Sequence, residues 1–154
     1  LSEPTVKALF WTSAILMGGS LSTILLAYTG VSVARTFFVT AAAFGGLSLW
    51  GYTTKRNLSA FGTFLIMGVV GLLIAMIVNM FLRSSTLDLI VSAIGVLLFA
   101  GLTAFDTQKI KSVYFDVAGT EFRGKAVVMG ALTLYLDFLN LFLFLLRFMG
   151  DRRQ

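Results

Sequence analysis

The sequence predicts an all-α integral membrane protein, a polytopic bundle with five transmembrane helices in a single transmembrane domain, and three observations carry that prediction. Of 154 residues, 58% are hydrophobic and only 12% charged, with a mean hydropathy of +0.93, where soluble domains run at about 45–50% and about 25%. Five apolar runs approach or exceed the ~20 helical residues that cross ~30 Å of hydrocarbon. They are continuous rather than alternating, so they suit helices that satisfy their own backbone hydrogen bonds and not barrel strands.

In order, the runs span 6–28, 36–53, 58–82, 87–105 and 126–149. Ser2 and Glu3 ahead of the only proline, Pro4, form a cap and first turn for the first helix. That run lacks a basic leader and a small-residue cleavage site, so it is not read as a signal peptide. The second run is short, and Asp88 sits just inside the fourth. Tyr28, Trp50, Tyr52 and Tyr114 lie beside loops, as interfacial aromatics do. Gly18, Gly19, Gly45, Gly46 and the Gly71–Ala75–Asn79 series are expected to be close-packing surfaces. The stretch from Lys109 to Lys125 reads as the one long hydrophilic loop. The chain begins at Leu1 and not Met, which suggests a fragment.

An odd number of helices places the termini on opposite sides. Lys7, Lys55, Arg56, Lys109, Lys111, Arg123 and Lys125 fall on one side; Arg35, Arg83, Arg147, Arg152 and Arg153 fall on the other. The first side is assigned as cytoplasmic by the excess of basic residues, against the dissent of Arg152 and Arg153. A net charge of +5 would suggest nucleic acid in a soluble protein, but here the basic residues flank apolar runs, and no nucleic-acid partner is expected. With no Cys and no His, disulfides, thiolate nucleophiles, structural zinc and imidazole catalysis are excluded.

The chemistry concentrates in the last two runs. Asp137 stands inside GALTLYLDFLNLFLFLLRFMG, where an aspartate at the bilayer centre costs roughly 2.5–3.5 kcal/mol on insertion scales and therefore faces protein or water. Gly130, Thr133, Asp137, Asn140 and Arg147 share an arc of about 100°, and the rest of the helix is Leu and Phe. The fourth run mirrors it: Ser92, Gly95, Thr103 and Asp106 fall within about 80°. Asp106 is placed at the cytoplasmic end of its helix, and Asp137 roughly 16 Å along from Ala126.

A slide of a few residues would bring the carboxylates to one depth. Two such charges about 4 Å apart repel by roughly 4 kcal/mol at an effective dielectric near 20, so the pair would share a proton and latch the helices together. An oxygen-seeking cation such as Ca²⁺, with Asp106 and Asp137 as its ligands, would be the natural competitor for that proton. Asn140, Thr133 and Thr103 are supporting polar residues, with Asn79 and Gln108 weaker. Arg147 is expected to snorkel to the outer interface, and Asp88 to sit at a helix N-terminus that favours a carboxylate. The bland reading of Asp106 is an interfacial acid near Lys109, and that of Asp137 a structural hydrogen bond.

Enzyme signatures are missing: there is no HExxH, no Walker loop, and Gly18–Ser22 is not a nucleophile elbow. An intramembrane aspartyl protease would pair YD with GxGD, whereas this chain has FD at Asp106 and LD at Asp137. No enzymatic activity is expected.

FAGLTAFDTQKIK (99–111), MGALTLYLDFLNLFLFLLRFMG (129–150) and ARTFFVTAAAFGGLSLWGYTTKRNLSAFG (34–62) resemble the Bax inhibitor-1, or transmembrane Bax inhibitor motif, family in its bacterial form, over essentially the whole chain. The resemblance implies seven helices with the last one central, of which this chain holds the final five. It also implies a Ca²⁺ leak controlled by pH through an aspartate pair matching Asp106 and Asp137, in the inner membrane of a bacterium, with no cofactor. A basic residue that interacts with the pair would lie on an early helix outside this chain. Two other functions stay open: an interaction protein that modulates a membrane quality-control protease, and a proton-coupled transporter.

Overall fold

The computed structural model describes residues 2–150, which form five antiparallel helices: α1 (Glu3–Leu25), α2 (Gly30–Thr53), α3 (Ser59–Leu82), α4 (Ser85–Val117) and α5 (Arg123–Met149). Each is long and apolar enough to cross a membrane, which makes the chain a multi-pass integral membrane protein. Its outward surface carries the large apolar side chains that lipid requires, among them Phe81, Met80, Ile15 and Leu97.

The helix ends follow local chemistry. Ser2 caps α1, its hydroxyl accepting from the Thr5 N–H, with Pro4 in the first turn. Thr29 and Ser84 cap α2 and α4 in the same way. Arg83, in the left-handed region at φ 54°, ends α3, while the Asn79 side chain accepts from the Ser84 N–H to close the α3–α4 turn.

Two boundaries depart furthest from the sequence reading, while the α1 ends and the α5 start differ from it by about three residues. α2 begins at Gly30 rather than residue 36, because Arg35 interrupts an apolar run without interrupting a helix. α4 runs to Val117, not 105, so most of the expected 109–125 loop is helix. The segment QKIKSVYFDV is hydrophilic but holds no glycine or proline, and the chain turns only at Gly119, φ +80°.

α4 packs most extensively on α5 and also on α2 and α3; α5 packs on α4 and α2 and, to a lesser degree, on α1. The core gathers Leu65, Leu72, Val91, Leu98, Phe99, Leu141 and Phe144 from α3, α4 and α5, with Phe99 and Phe144 stacked at 5.6 Å. Helix association inside lipid rests on such close packing rather than on water exclusion. Close approaches include Gly51 to Ala104, Gly62 to Phe105, Gly95 to Phe144 and Gly130 to Ile110. The glycines expected to pack, Gly18, Gly19, Gly45, Gly46 and Gly71, have nothing within 4 Å of a Cβ built on them. A small residue permits an approach but does not supply the attraction. Tyr28 is likewise not interfacial but buried, against Phe142 and Leu146. Trp50, Tyr52 and Tyr114 are exposed near helix ends as expected.

Lys7, Lys55, Arg56, Lys109, Lys111, Arg123 and Lys125 all lie toward one end of the bundle, set by the α1 N-terminus, the α2–α3 turn and the α4–α5 turn. Arg152 and Arg153, which argue against the topology, lie outside the described residues. At this basic end Gln108 ties α4 to the α2–α3 turn. Its Oε1 accepts from the Leu58 N–H at 2.8 Å and its Nε2 donates to the Arg56 carbonyl at 2.6 Å. Lys111 adds a bond to the Tyr52 carbonyl at 2.7 Å while its ammonium lies over the Tyr52 ring. Two hydrogen bonds at ~0.5–1.5 kcal/mol each predict that Gln108→Ala lowers stability by about 1–3 kcal/mol, read as thermal unfolding of the purified protein in detergent.

Candidate functional site: a carboxyl pair between the last two helices

The helix lengths place both aspartates at one level. Asp106 is eleven residues short of the α4 end at Val117, and Asp137 is fourteen residues past the α5 start at Arg123. Only a five-residue turn separates those ends, so at 1.5 Å per residue the two stand ~16 and ~21 Å from the same end of the bundle. Asp106 therefore lies well inside its helix and not at its end, because α4 continues for three more turns. The two side chains meet across the α4–α5 contact within hydrogen-bonding reach.

Asp137 is buried, 6% exposed, and its Oδ2 has no hydrogen-bond partner. Asp106 is half-buried and opens into a cavity of about 180 Å³ toward the basic end, lined also by Lys109, Ile110, Val113, Gly130 and Thr133. One carboxyl is thus enclosed, and the other faces a largely apolar vestibule whose polar groups are Asp106 itself, Lys109 and Thr133. Among the described residues no three acidic, Cys or His side chains cluster as a metal site.

The supporting residues divide. Thr103 is fully buried and donates to the Phe99 carbonyl at 2.8 Å, one turn from Asp106. Thr133 donates to the Met129 carbonyl and lines the Asp106 cavity. Asn140 is not brought to the pair: it donates to the Leu136 carbonyl and lines the cavities between α5 and α1. Arg147 does not snorkel alone. Its guanidinium pairs with Asp88 in the first turn of α4 and lies near the Phe144 ring, so a half-buried ion pair joins α4 to α5 at the end opposite the basic one.

One set of residues was not singled out from the sequence. Ser32, Thr36 and Thr40 on α2 are 1%, 0% and 0% exposed. Their four-residue spacing in SVARTFFVT was a legible signal, hidden because the apolar run starts at Thr36 and leaves Ser32 in a loop. With Ser92 and Thr103 of α4, both 0% exposed, they place a set of hydroxyls inside an otherwise apolar bundle.

The chain matches, over residues 1–154, the model of the family described as Inhibitor of apoptosis-promoting Bax1. It is 53% identical over 150 residues to a protein of Rickettsia prowazekii, covering 97% of this chain and 64% of that protein. It is 53% identical over 151 residues to a protein of Caulobacter vibrioides, covering 97% and 60%. It is 50% identical over 155 residues to the inner membrane protein YbhL of Escherichia coli K12, covering 99% and 66%. The chain spans just under two thirds of the length of these relatives. A match along its whole length to the family, on a bundle of five apolar helices, means that this chain belongs to the Bax inhibitor-1 family of membrane proteins.

Proposed function

We propose that the protein is a pH-sensitive Ca²⁺ leak channel of a bacterial inner membrane, in which Asp106 and Asp137 form a proton-sharing gate between α4 and α5. The observation that carries this reading is the meeting of the two carboxyls at one depth inside the bundle, one enclosed and one open to a vestibule. A single proton between them supplies the donor that Asp137 Oδ2 lacks and removes the repulsion of two ionised groups. Losing that proton turns an attraction into a repulsion of roughly 4 kcal/mol at about 4 Å and an effective dielectric near 20. Ca²⁺ entering from the vestibule competes for the same oxygens, so the site that senses protons also meets the permeant ion. Lys109 lines the same vestibule as Asp106. The inner-membrane location follows the name of the Escherichia coli relative, and no bond-making or bond-breaking step is part of the function.

The test is Ca²⁺ flux into liposomes containing the full-length protein, followed from mildly acidic to mildly alkaline pH. A flux that changes across this range supports the gate. Absence of flux at every pH, with a membrane protease co-purifying in stoichiometric amount, would replace the channel with a modulator of that protease.

A further inference from the structure

We infer that the buried hydroxyls Thr36, Thr40 and Ser92, with Ser32, line the half of the path between Asp137 and the Asp88–Arg147 end, and that they suit it to a cation. The inference rests on the leak reading and extends it to the half of the membrane that the carboxyl pair does not reach.

Position comes first. Phe37 and Phe44 of α2 both meet Phe138 edge-on, at 5.8 and 5.4 Å. Those two phenylalanines bracket Thr40, which sets Thr40 level with Asp137. Thr36 and Ser32 follow at ~6 Å intervals toward the opposite end. On α4, Ser92 stands one turn in from Asp88. Because α2 packs chiefly on α4 and α5, residues of α2 that are wholly buried face those two helices. The hydroxyls therefore continue, one turn at a time, from the level of the enclosed carboxyl to the level of the ion pair.

Chemistry comes next. Thr40 donates its hydroxyl proton to the Thr36 carbonyl at 2.6 Å, and Ser92 donates to the Asp88 carbonyl at 2.8 Å. With the donor spent on their own helix, these groups offer the interior only oxygen lone pairs. Thr36 Oγ1 is fully buried with no hydrogen-bond partner, an arrangement that is costly unless a water or an ion fills it. Thr40 and Ser92 are thus acceptors with no free donor, which accommodate a cation and its water and disfavour an anion, while the unspent Thr36 hydroxyl is free to turn its lone pairs toward a cation. Of the cations at that end, Arg147 is neutralised by Asp88, and Arg35 and Arg83 are exposed on the outside of the bundle.

The chain contains no cysteine, so single thiols can be placed in it cleanly. Thr36→Cys, Thr40→Cys and Ser92→Cys in the full-length protein, in liposomes, would be treated with membrane-impermeant cationic and anionic methanethiosulfonates and read by mass. Phe38→Cys, at a side chain 71% exposed to lipid, is the control. The expected result is labelling at the three interior positions, about tenfold faster with the cationic reagent, and none at Phe38→Cys. No labelling at the three, or equal rates for both charges, overturns the inference.

Flux separates it from the reading on which it rests. Thr36→Val is expected to lower Ca²⁺ flux about fivefold to tenfold and Thr36→Ser to retain it. Full flux in Thr36→Val together with unlabelled thiols leaves the carboxyl gate standing and removes this path. Charge-selective labelling without Ca²⁺ flux supports the path and removes Ca²⁺ as its ion.

Discussion

Asp137→Asn is expected to flatten the pH dependence of Ca²⁺ flux while leaving the protein folded. Asparagine has the size of the aspartate and brings a permanent N–H donor to Asp106, so the α4–α5 contact keeps its hydrogen bond but has no proton to lose. In the parent protein the last proton separates a bridged pair from two carboxylates repelling by roughly 4 kcal/mol, which could shift the balance of closed and open packing by about a thousandfold across the full titration. The variant should change by less than about twofold, the scale of screened, distant charges. Asp106→Asn should behave in the same way, since the proton belongs to the pair and not to either residue. The measurement is initial flux rate against pH for both variants and the parent protein. A variant with the parent's pH profile would take proton sensing away from this pair and return Asp137 to a structural hydrogen bond.

The pair was legible in the sequence because a carboxylate within an apolar run has few inexpensive places to go. Its depth was not: apolar length ends α4 near 105, whereas the helix continues to Val117, and only the added turns bring Asp106 level with Asp137. Hydropathy marks where lipid ends, and the backbone follows propensity beyond that point. The same distinction concealed α2, whose first six residues and buried Ser32 precede the apolar run. The partner of Arg147 was missed for another reason. Snorkelling is the solution for a lone cation, and the partner, Asp88, is 59 residues away in sequence. The glycines show most plainly what composition cannot supply, since Gly18, Gly19, Gly45, Gly46 and Gly71 follow the packing pattern as well as Gly51 or Gly95 do. Which of them meets a neighbour depends on how the helices cross.

That difference predicts opposite results for two substitutions on one helix. At Gly51 an added Cβ would stand 2.9 Å from the Ala104 Cα and 3.0 Å from its carbonyl carbon. These are backbone atoms, which cannot swing aside as a side-chain tip can. Gly51→Ala must push α4 away from α2 at a point two residues from Asp106, and it strains the neighbouring Lys111 bond to the Tyr52 carbonyl. Overpacking of this kind costs ~1–3 kcal/mol, and the rigid partner argues for the upper part of that range. At Gly46, with nothing within 4 Å, the same substitution meets no atom of this chain and gains the helix propensity of alanine, a stabilisation of ~0.5–1 kcal/mol. Thermal unfolding of both variants in detergent checks the signs. Flux against pH then checks the connection to the gate: displacement of α4 by Gly51→Ala moves one carboxyl relative to the other and should shift the midpoint of the pH response, which Gly46→Ala should leave in place. Equal stability of the two variants would mean that α2 and α4 do not approach as closely in the bilayer as Gly51 and Ala104 require.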